Sequence, residues 1–258
     1  GEATRIDIGE GNITRLTPSP DDKTIIAILE RYTCDEDDPK LARKIKVPDD
    51  CDAEDLVVHT ELNVISNGEI SSEIDVKSQF NTVEFSDDGR FAIAYLDFSQ
   101  GDVVLSGVVD LTSVMVLDVL DGTSTPVTVG FSANKVLFTY DENEQAERAV
   151  VLSENSVAVV DLFEETPVLD VTFPLTLDPD SNVVPVGVEL TPDGQYALIS
   201  VENRSDRSVP IRHVVVVFAP ARHRLARRCE PHERVDVRSH EARRIHGAWV
   251  SGAAPALK

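Results

Sequence analysis

The cysteines Cys34 and Cys51 lie 17 residues apart, in "TCDEDDPK" and "PDDCDAED", in the most acidic stretch of the chain. In an oxidising compartment they can pair and close a loop. Such a cross-link contributes about 3 kcal/mol by restricting the unfolded chain. The alternative is two free thiols. The surrounding carboxylates are hard oxygen ligands, so Asp35, Asp37, Asp38, Asp50 and Asp52 are the candidate ligands for Ca²⁺. A solvated acidic loop is the plainer expectation. Asp178, Asp180 and Asn182 imitate the start of a calcium loop, but Val183 stands where a sharp turn needs Gly and the closing Glu is missing.

Other catalytic signals are few. Nucleophilic catalysis needs a base beside a Ser or Cys, and residues 1–206 contain a single His, His59, next to Thr60. A lone His at a strand start is expected to be structural. No Gly-x-Ser-x-Gly, phosphate-binding glycine loop or zinc-ligand spacing occurs. His223, His232, His240 and His246 have only Cys229 nearby and match no zinc-finger spacing. Carboxylates are too numerous for spacing to single out a catalytic pair. No catalytic or organic-cofactor residues are assigned; calcium is the one cofactor considered.

The elements that must position any site are legible in a repeated phrase. "VEFSDDGRFAIAY" (83–95) and "VELTPDGQYALIS" (188–200) each read as an alternating run, an Asp-Gly turn and a second run. Alternation places successive side chains on opposite faces of a strand. Gly accepts the positive φ that a tight hairpin requires. "LTPSPDDKTIIAI" (16–28), with Asp21-Asp22, and "VGFSANKVLFTY" (129–140), with Asn134-Lys135, are weaker copies. Aligning Ser19, Ser86, Ser132 and Thr191 gives spacings of 67, 46 and 59. A second phrase falls between them, "SVMVLDVLDG" (113–122) and "SVAVVDLFEE" (156–165), with looser versions in "TELNVISNG" (60–68) and "HVVVVFAP" (213–220). Several strands recurring at roughly 40–60 residues predict an all-β propeller. "PKLARKIK" (39–46) is the only short helix candidate in the first 200 residues.

These units resemble the bacterial YVTN-type β-propeller repeat. Thr191 to Gly194 matches its Ser-Pro-Asp-Gly turn, and Ser86 to Gly89 does so with one substitution. Val114 to Asp118 and Val157 to Asp161 match its later strand. The resemblance covers about residues 13–218. It implies four-stranded antiparallel blades, about four to five of them, in a domain spanning 1–218. It also implies a structural, strand-closing role for Asp118 and Asp161. Closed propellers of this type usually have about seven blades, so an open arc with unpaired edges is one arrangement the count allows. The superfamily hosts scaffolds, lactonases and quinoprotein dehydrogenases, so fold alone does not choose a function.

Net charge is −22, which disfavours nucleic acid and acidic membranes as partners. No apolar run is long enough to span a membrane. A secreted-type surface or adaptation to high salt both fit the few Lys (seven) and many Asp. The chain begins at Gly1 without a signal-peptide pattern and is expected to be a processed product or fragment. Residues 207–258 carry ten Arg and one Lys against four acids, a net +7, leaving −29 on residues 1–206. The basic stretch 219–258 has neither strand nor helix periodicity. It is expected to be disordered, or to be a reading-frame shift near residues 207–222. Shifting the codons of Cys229 to Arg234 by one base allows "Ala-Ser-Pro-Thr-Ser-Val", a phrase of the kind found before an inner strand. The first functional expectation is a non-enzymatic, extracytoplasmic binding or scaffold module for an unknown protein or small ligand. The others are a lactonase-like or quinoprotein dehydrogenase-like enzyme, and a truncated, non-functional product.

Overall fold

The computed structural model describes residues 5–9, 11–33, 57–76, 79–100, 110–164, 166–175, 183–191, 196–203 and 212–217. Its compact unit Gly1–Val216 is built of consecutive antiparallel meanders. The first blade is β1 (Asn12–Pro18), β2 (Thr24–Thr33), β3 (Val57–Ser66) and β4 (Glu69–Val76). Blade 2 is β5 (Thr82–Phe85), β6 (Phe91–Tyr95), β7 (Ser113–Asp118) and β8 (Thr123–Thr128). Blade 3 is β9 (Lys135–Tyr140), β10 (Ala146–Leu152), β11 (Ser156–Asp161) and β12 (Val168–Pro174). A fourth sheet joins β13 (Val183–Leu190), β14 (Tyr196–Asn203) and β15 (Arg212–Val217). In each sheet the spatial order is the sequence order. Strands that follow one another and pair with their predecessors, in sheets stacked face to face, constitute the propeller blade architecture.

The hairpin between the first two strands of a blade is set by one turn chemistry. In blade 2 the Ser86 hydroxyl donates to Asp88 (2.5 Å) and accepts the Phe91 N–H (3.0 Å), while Asp88 also accepts the Arg90 N–H (3.1 Å). Blade 1 repeats this. Ser19 donates to Asp21 (2.7 Å) and accepts the Thr24 N–H (3.0 Å), and Asp21 accepts the Lys23 N–H (3.2 Å). The residue three past the serine is left-handed in both, Gly89 at φ 70° and Asp22 at φ 58°. The β3–β4 turn uses Asn67 and Gly68, both at positive φ, the pairing that matches strand twist in a two-residue hairpin.

The third hairpin corrects the sequence reading. Asn134-Lys135 is not its turn: Lys135 opens β9, and β9 pairs with β10 across Asp141–Gln145. Here Asp141 replaces the serine, accepting the N–H groups of Asn143 (2.8 Å) and Gln145 (2.9 Å). Glu144, at φ 60°, takes the place of Gly89. Side-chain oxygen and left-handed backbone define the turn, and neither requires the letters Ser or Gly. With Asp141 in place of Ser132, the spacings become 67, 55 and 50. The other predicted copies fall as expected. "LTPSPDDKTIIAI" covers the β1–β2 hairpin, and the four Val-rich phrases become the third strands β3, β7, β11 and β15. The fourth sheet has three strands among the described residues, against an expectation of four.

Blades 1, 2 and 3 pack face to face. Ile26, Ile28, Leu62 and Val64 of blade 1 meet Val83, Ala92, Ala94, Met115 and Leu117 of blade 2 in one apolar layer with Val76 and Phe80. Phe91, Ile93, Tyr95, Val114 and Val116 on the opposite face of blade 2 join Val136, Phe138, Ala149, Val151, Ala158 and Val160 of blade 3 in a second. Every residue of β6 is buried. Its alternation is therefore large against small rather than apolar against polar, with aromatic and Ile side chains toward blade 3 and alanines toward blade 1. The outer face of blade 1, Ala27, Leu29 and Ile65, is met by Ile6 and Ile8 of the N-terminal segment.

Cys34, Cys51, Asp35, Asp37, Asp38, Asp50, Asp52, the helix candidate 39–46, residues 178–182, the Asp193-Gly194 turn and the stretch 219–258 lie outside the described residues.

The left-handed turn positions can be tested by substitution. A left-handed conformation costs an L-residue roughly 1–2 kcal/mol, partly offset by glycine's greater loss of backbone entropy. Glu144→Gly is expected to stabilise the protein by about 0.5–1 kcal/mol, and Gly89→Ala to destabilise it by about 1 kcal/mol. Paired urea melts of the two variants check both signs.

Candidate functional site

A cleft of about 300 Å³ opens between blades 2 and 3, on the side of the first-to-second-strand turns. From blade 2 it is lined by Arg90, Phe91, Asp118, Asp121 and Thr123. Blade 3 contributes Asp141, Gln145, Glu147, Leu162, Phe163, Glu164 and Pro167, among others.

The repeat aspartates shape this cleft. Asp118 ends β7; one oxygen accepts the N–H groups of Leu120 and Asp121 (3.1 Å each), closing the turn into β8. The other accepts Arg90 Nη2 at 3.1 Å and Nε at 3.3 Å. Asp161 ends β11 and accepts the Phe163 N–H at 3.0 Å. Both therefore close strands, as the family resemblance implies. The residue two past each aspartate stands outward: Leu120 is 78% and Phe163 60% exposed. The Arg90 guanidinium lies 4.8 Å from the centre of the Phe91 ring. Arg90 is thus held by an anion and an aromatic face together.

A cross-blade clasp fixes the cleft's width. Asp88 accepts the Ala146 N–H at 2.8 Å, and the Tyr140 hydroxyl accepts the Asp87 N–H at 2.7 Å. Burial raises the Tyr140 phenol to about 12, so it stays protonated at neutral pH. Burial works against ionisation of Asp141, but the backbone N–H groups of Gln145 and Asn143 outweigh it and hold the carboxyl below its ordinary value. Five carboxylates (Asp118, Asp121, Asp141, Glu147 and Glu164) line the cleft beside Arg90; Asp118 is bonded to Arg90, Glu147 to Arg148 Nη1 at 3.3 Å, and Asp141 to Asn143 and Gln145. The lining supplies acceptors and one hydroxyl, Thr123, with no histidine, cysteine or lysine among its residues. It can hold a cation with an apolar flank.

Two further polar groupings stand elsewhere. Glu30, buried on the face of blade 1 toward blade 2, accepts the Tyr32 hydroxyl at 2.9 Å. Burial raises the Glu30 carboxyl above its ordinary value, against the hydrogen bonds from Tyr32 and Gln79. Burial, then the Glu30 charge, pushes Tyr32 up to about 12. On the innermost strands, burial also raises Glu84, opposed by the charges of Arg15 on β1 and Lys135 on β9. His59, the one histidine weighed from sequence, lies opposite Arg31 in the β2–β3 ladder, with its Nε2 buried and unpartnered.

Sequence reasoning assigned Asp118 and Asp161 correctly but did not find the cleft. A signal existed. The hairpin register sets Asp118 opposite Phe91, one residue past Arg90. Once the third strand was identified, that placed an Arg and an Asp at one end of the sheet.

No family model and no curated protein matches the sequence. Solved structures with related topology include the β-propeller domain of Cps50 (Swd1) from Myceliophteria thermophila, at 12% identity and TM-score 0.41, covering 75% of this chain and 50% of that one. Periplasmic gluconolactonase PpgL of Pseudomonas aeruginosa is similar at 14% identity and TM-score 0.39, covering 80% and 68%. Sqt1 from Chaetomium thermophilum is similar at 11% identity and TM-score 0.41, covering 76% and 43%. The chain spans about half the length of the first of these. At these TM-scores the propeller architecture rests on the strand order and packing of the sheets themselves.

The buried Glu30 predicts a pH dependence. Its pKa is raised on folding, so its protonated form is the one the fold favours. That contribution is complete below the unfolded value of about 4.3 and is lost as pH rises through the folded pKa. Glu30→Gln, which keeps the neutral shape, should flatten this dependence. Thermal melts from pH 4 to 8 check it: equal slopes for both proteins would contradict it.

Proposed function

We propose that this chain is a non-enzymatic, extracytoplasmic binding module that takes a cationic group of its partner in the cleft between blades 2 and 3. The observation that carries this reading is the cleft's composition: five carboxylates line it, the one lining cation, Arg90, is already bonded to Asp118, and an exposed Phe163 stands at the rim. A guanidinium or ammonium group fits because it satisfies carboxylate oxygens and stacks on an aromatic face. Charge supports the same choice: residues 1–206 carry −29, which steers cations toward the surface and repels nucleic acid.

The finer placement among YVTN-type repeats belongs to the same proposal. Its support is the Ser-x-Asp-Gly turn at Ser86 to Gly89 and the Asp that closes the third strand in blades 2 and 3. The extracytoplasmic assignment is supported by the acidic surface and by Cys34 and Cys51, a pair suited to an oxidising compartment. An incomplete ring fits the four sheets present.

The test is titration calorimetry with a tetra-arginine peptide at about 50 mM salt, where screening is weak. Binding should weaken at least fivefold in the triple variant Asp121→Asn, Glu147→Gln, Glu164→Gln, and should weaken as salt rises. Affinity unchanged in that variant would refute the cleft as the site.

A further inference from the structure

Outer strands of a sheet present unpaired N–H and C=O groups, and proteins guard them with charge, proline or bulges. The outer strands of the four-stranded blades differ in how they are guarded. On β4, Glu69, Glu73 and Asp75 supply charge. In β8 Pro126 stands between Thr125 and Val127, in a strand otherwise of Thr and Ser. In β12, Val-Leu-Asp-Val-Thr-Phe-Pro, the guards are one charge at a bulge, Asp170, and a proline only at the last residue, Pro174, and the rest of the strand is mostly apolar. Val168, Leu169 and Val171 are 42%, 39% and 38% exposed. Among the described residues, no strand pairs with the outer side of β12. Phe163, at the turn leading into β12, extends the exposed apolar surface.

We infer that the outer edge of β12 accepts an added strand from a partner protein, an extended segment alternating apolar and basic residues. The apolar side chains would cover Val168, Leu169 and Val171, and the backbone would complete the ladder. The basic residues follow from charge complementarity. Residues 1–206 carry −29, and Glu164 precedes the edge. The same charge opposes edge-to-edge pairing of two copies of this chain. This inference rests on the composition of β12; Phe163 and Glu164 also line the cleft, and the variants below separate the two sites.

A fluorescein-labelled Lys-Val-Lys-Val-Lys-Val peptide, titrated by anisotropy into the full chain, tests it. Three results are expected together. Leu169→Lys with Val171→Lys weakens binding at least tenfold without changing the circular dichroism spectrum. A peptide N-methylated at alternate backbone amides binds wild type at least tenfold more weakly. A Glu-Val-Glu-Val-Glu-Val peptide does not bind. Equal binding of the N-methylated peptide would overturn the inference, because no ladder would then form. Undiminished binding to the double variant, or a dimer in sedimentation that the variant dissolves, would overturn it too. If Glu147→Gln weakened the peptide and the edge variant did not, the peptide would sit in the cleft; the edge inference would fail and the proposed function would stand.

Discussion

A blade of this protein has no dry face of its own. The central strands are apolar on both sides, so each depends on a neighbouring sheet to exclude water. In β6, Ala92, Ile93 and Ala94 are fully buried, as are Ala158, Val159 and Val160 in β11. Burying one Ile or Val side chain contributes roughly 1.5–3 kcal/mol, whereas an exposed ion pair contributes about 0–1 kcal/mol. On that scale the layers between blades outweigh Arg90–Asp118, whose arginine side chain is 42% exposed. The ion pair shapes a site; the layers hold the fold.

That division explains where function can reside. The Ser–Asp turns fix hairpin register and fasten blade 2 to blade 3 through Asp88 and Ala146. In the turns after β7 and β11, Val119 and Leu162 pack into the layers, but the residue after each does not. Leu120 and Phe163 therefore stand in solvent at the edges of a rigid frame. Positions supported by the frame but absent from its core are free to take up recognition.

Much of the frame was legible in the residues. The Asp-Gly at Asp88-Gly89 marked a hairpin because glycine's conformational freedom is visible as a letter. The third strands were legible because Val-x-Val-x-Asp combines ladder burial with a strand-closing carboxylate. Blade 3's hairpin was not, because its left-handed residue is Glu144 and its capping oxygen belongs to Asp141; a conformation was conserved there while the letters changed. The cleft was hidden for a different reason. Arg90, Asp118, Asp141 and Glu164 come from two blades, and local periodicity carries no information about which turns face each other. The buried pair of Glu30 and Tyr32 also escaped notice, although two residues apart on a strand share a face.

The claim that adjacent blades stabilise one another as a single unit is open to native-state hydrogen exchange. Ile93→Ala removes apolar volume from the blade 2 side of the shared layer. The amides of β10 and β11 in blade 3 should then lose the same opening free energy as those of β6 and β7 in blade 2. If blade 3 kept its protection while blade 2 lost its own, the blades would be independent and this account of the fold would be wrong.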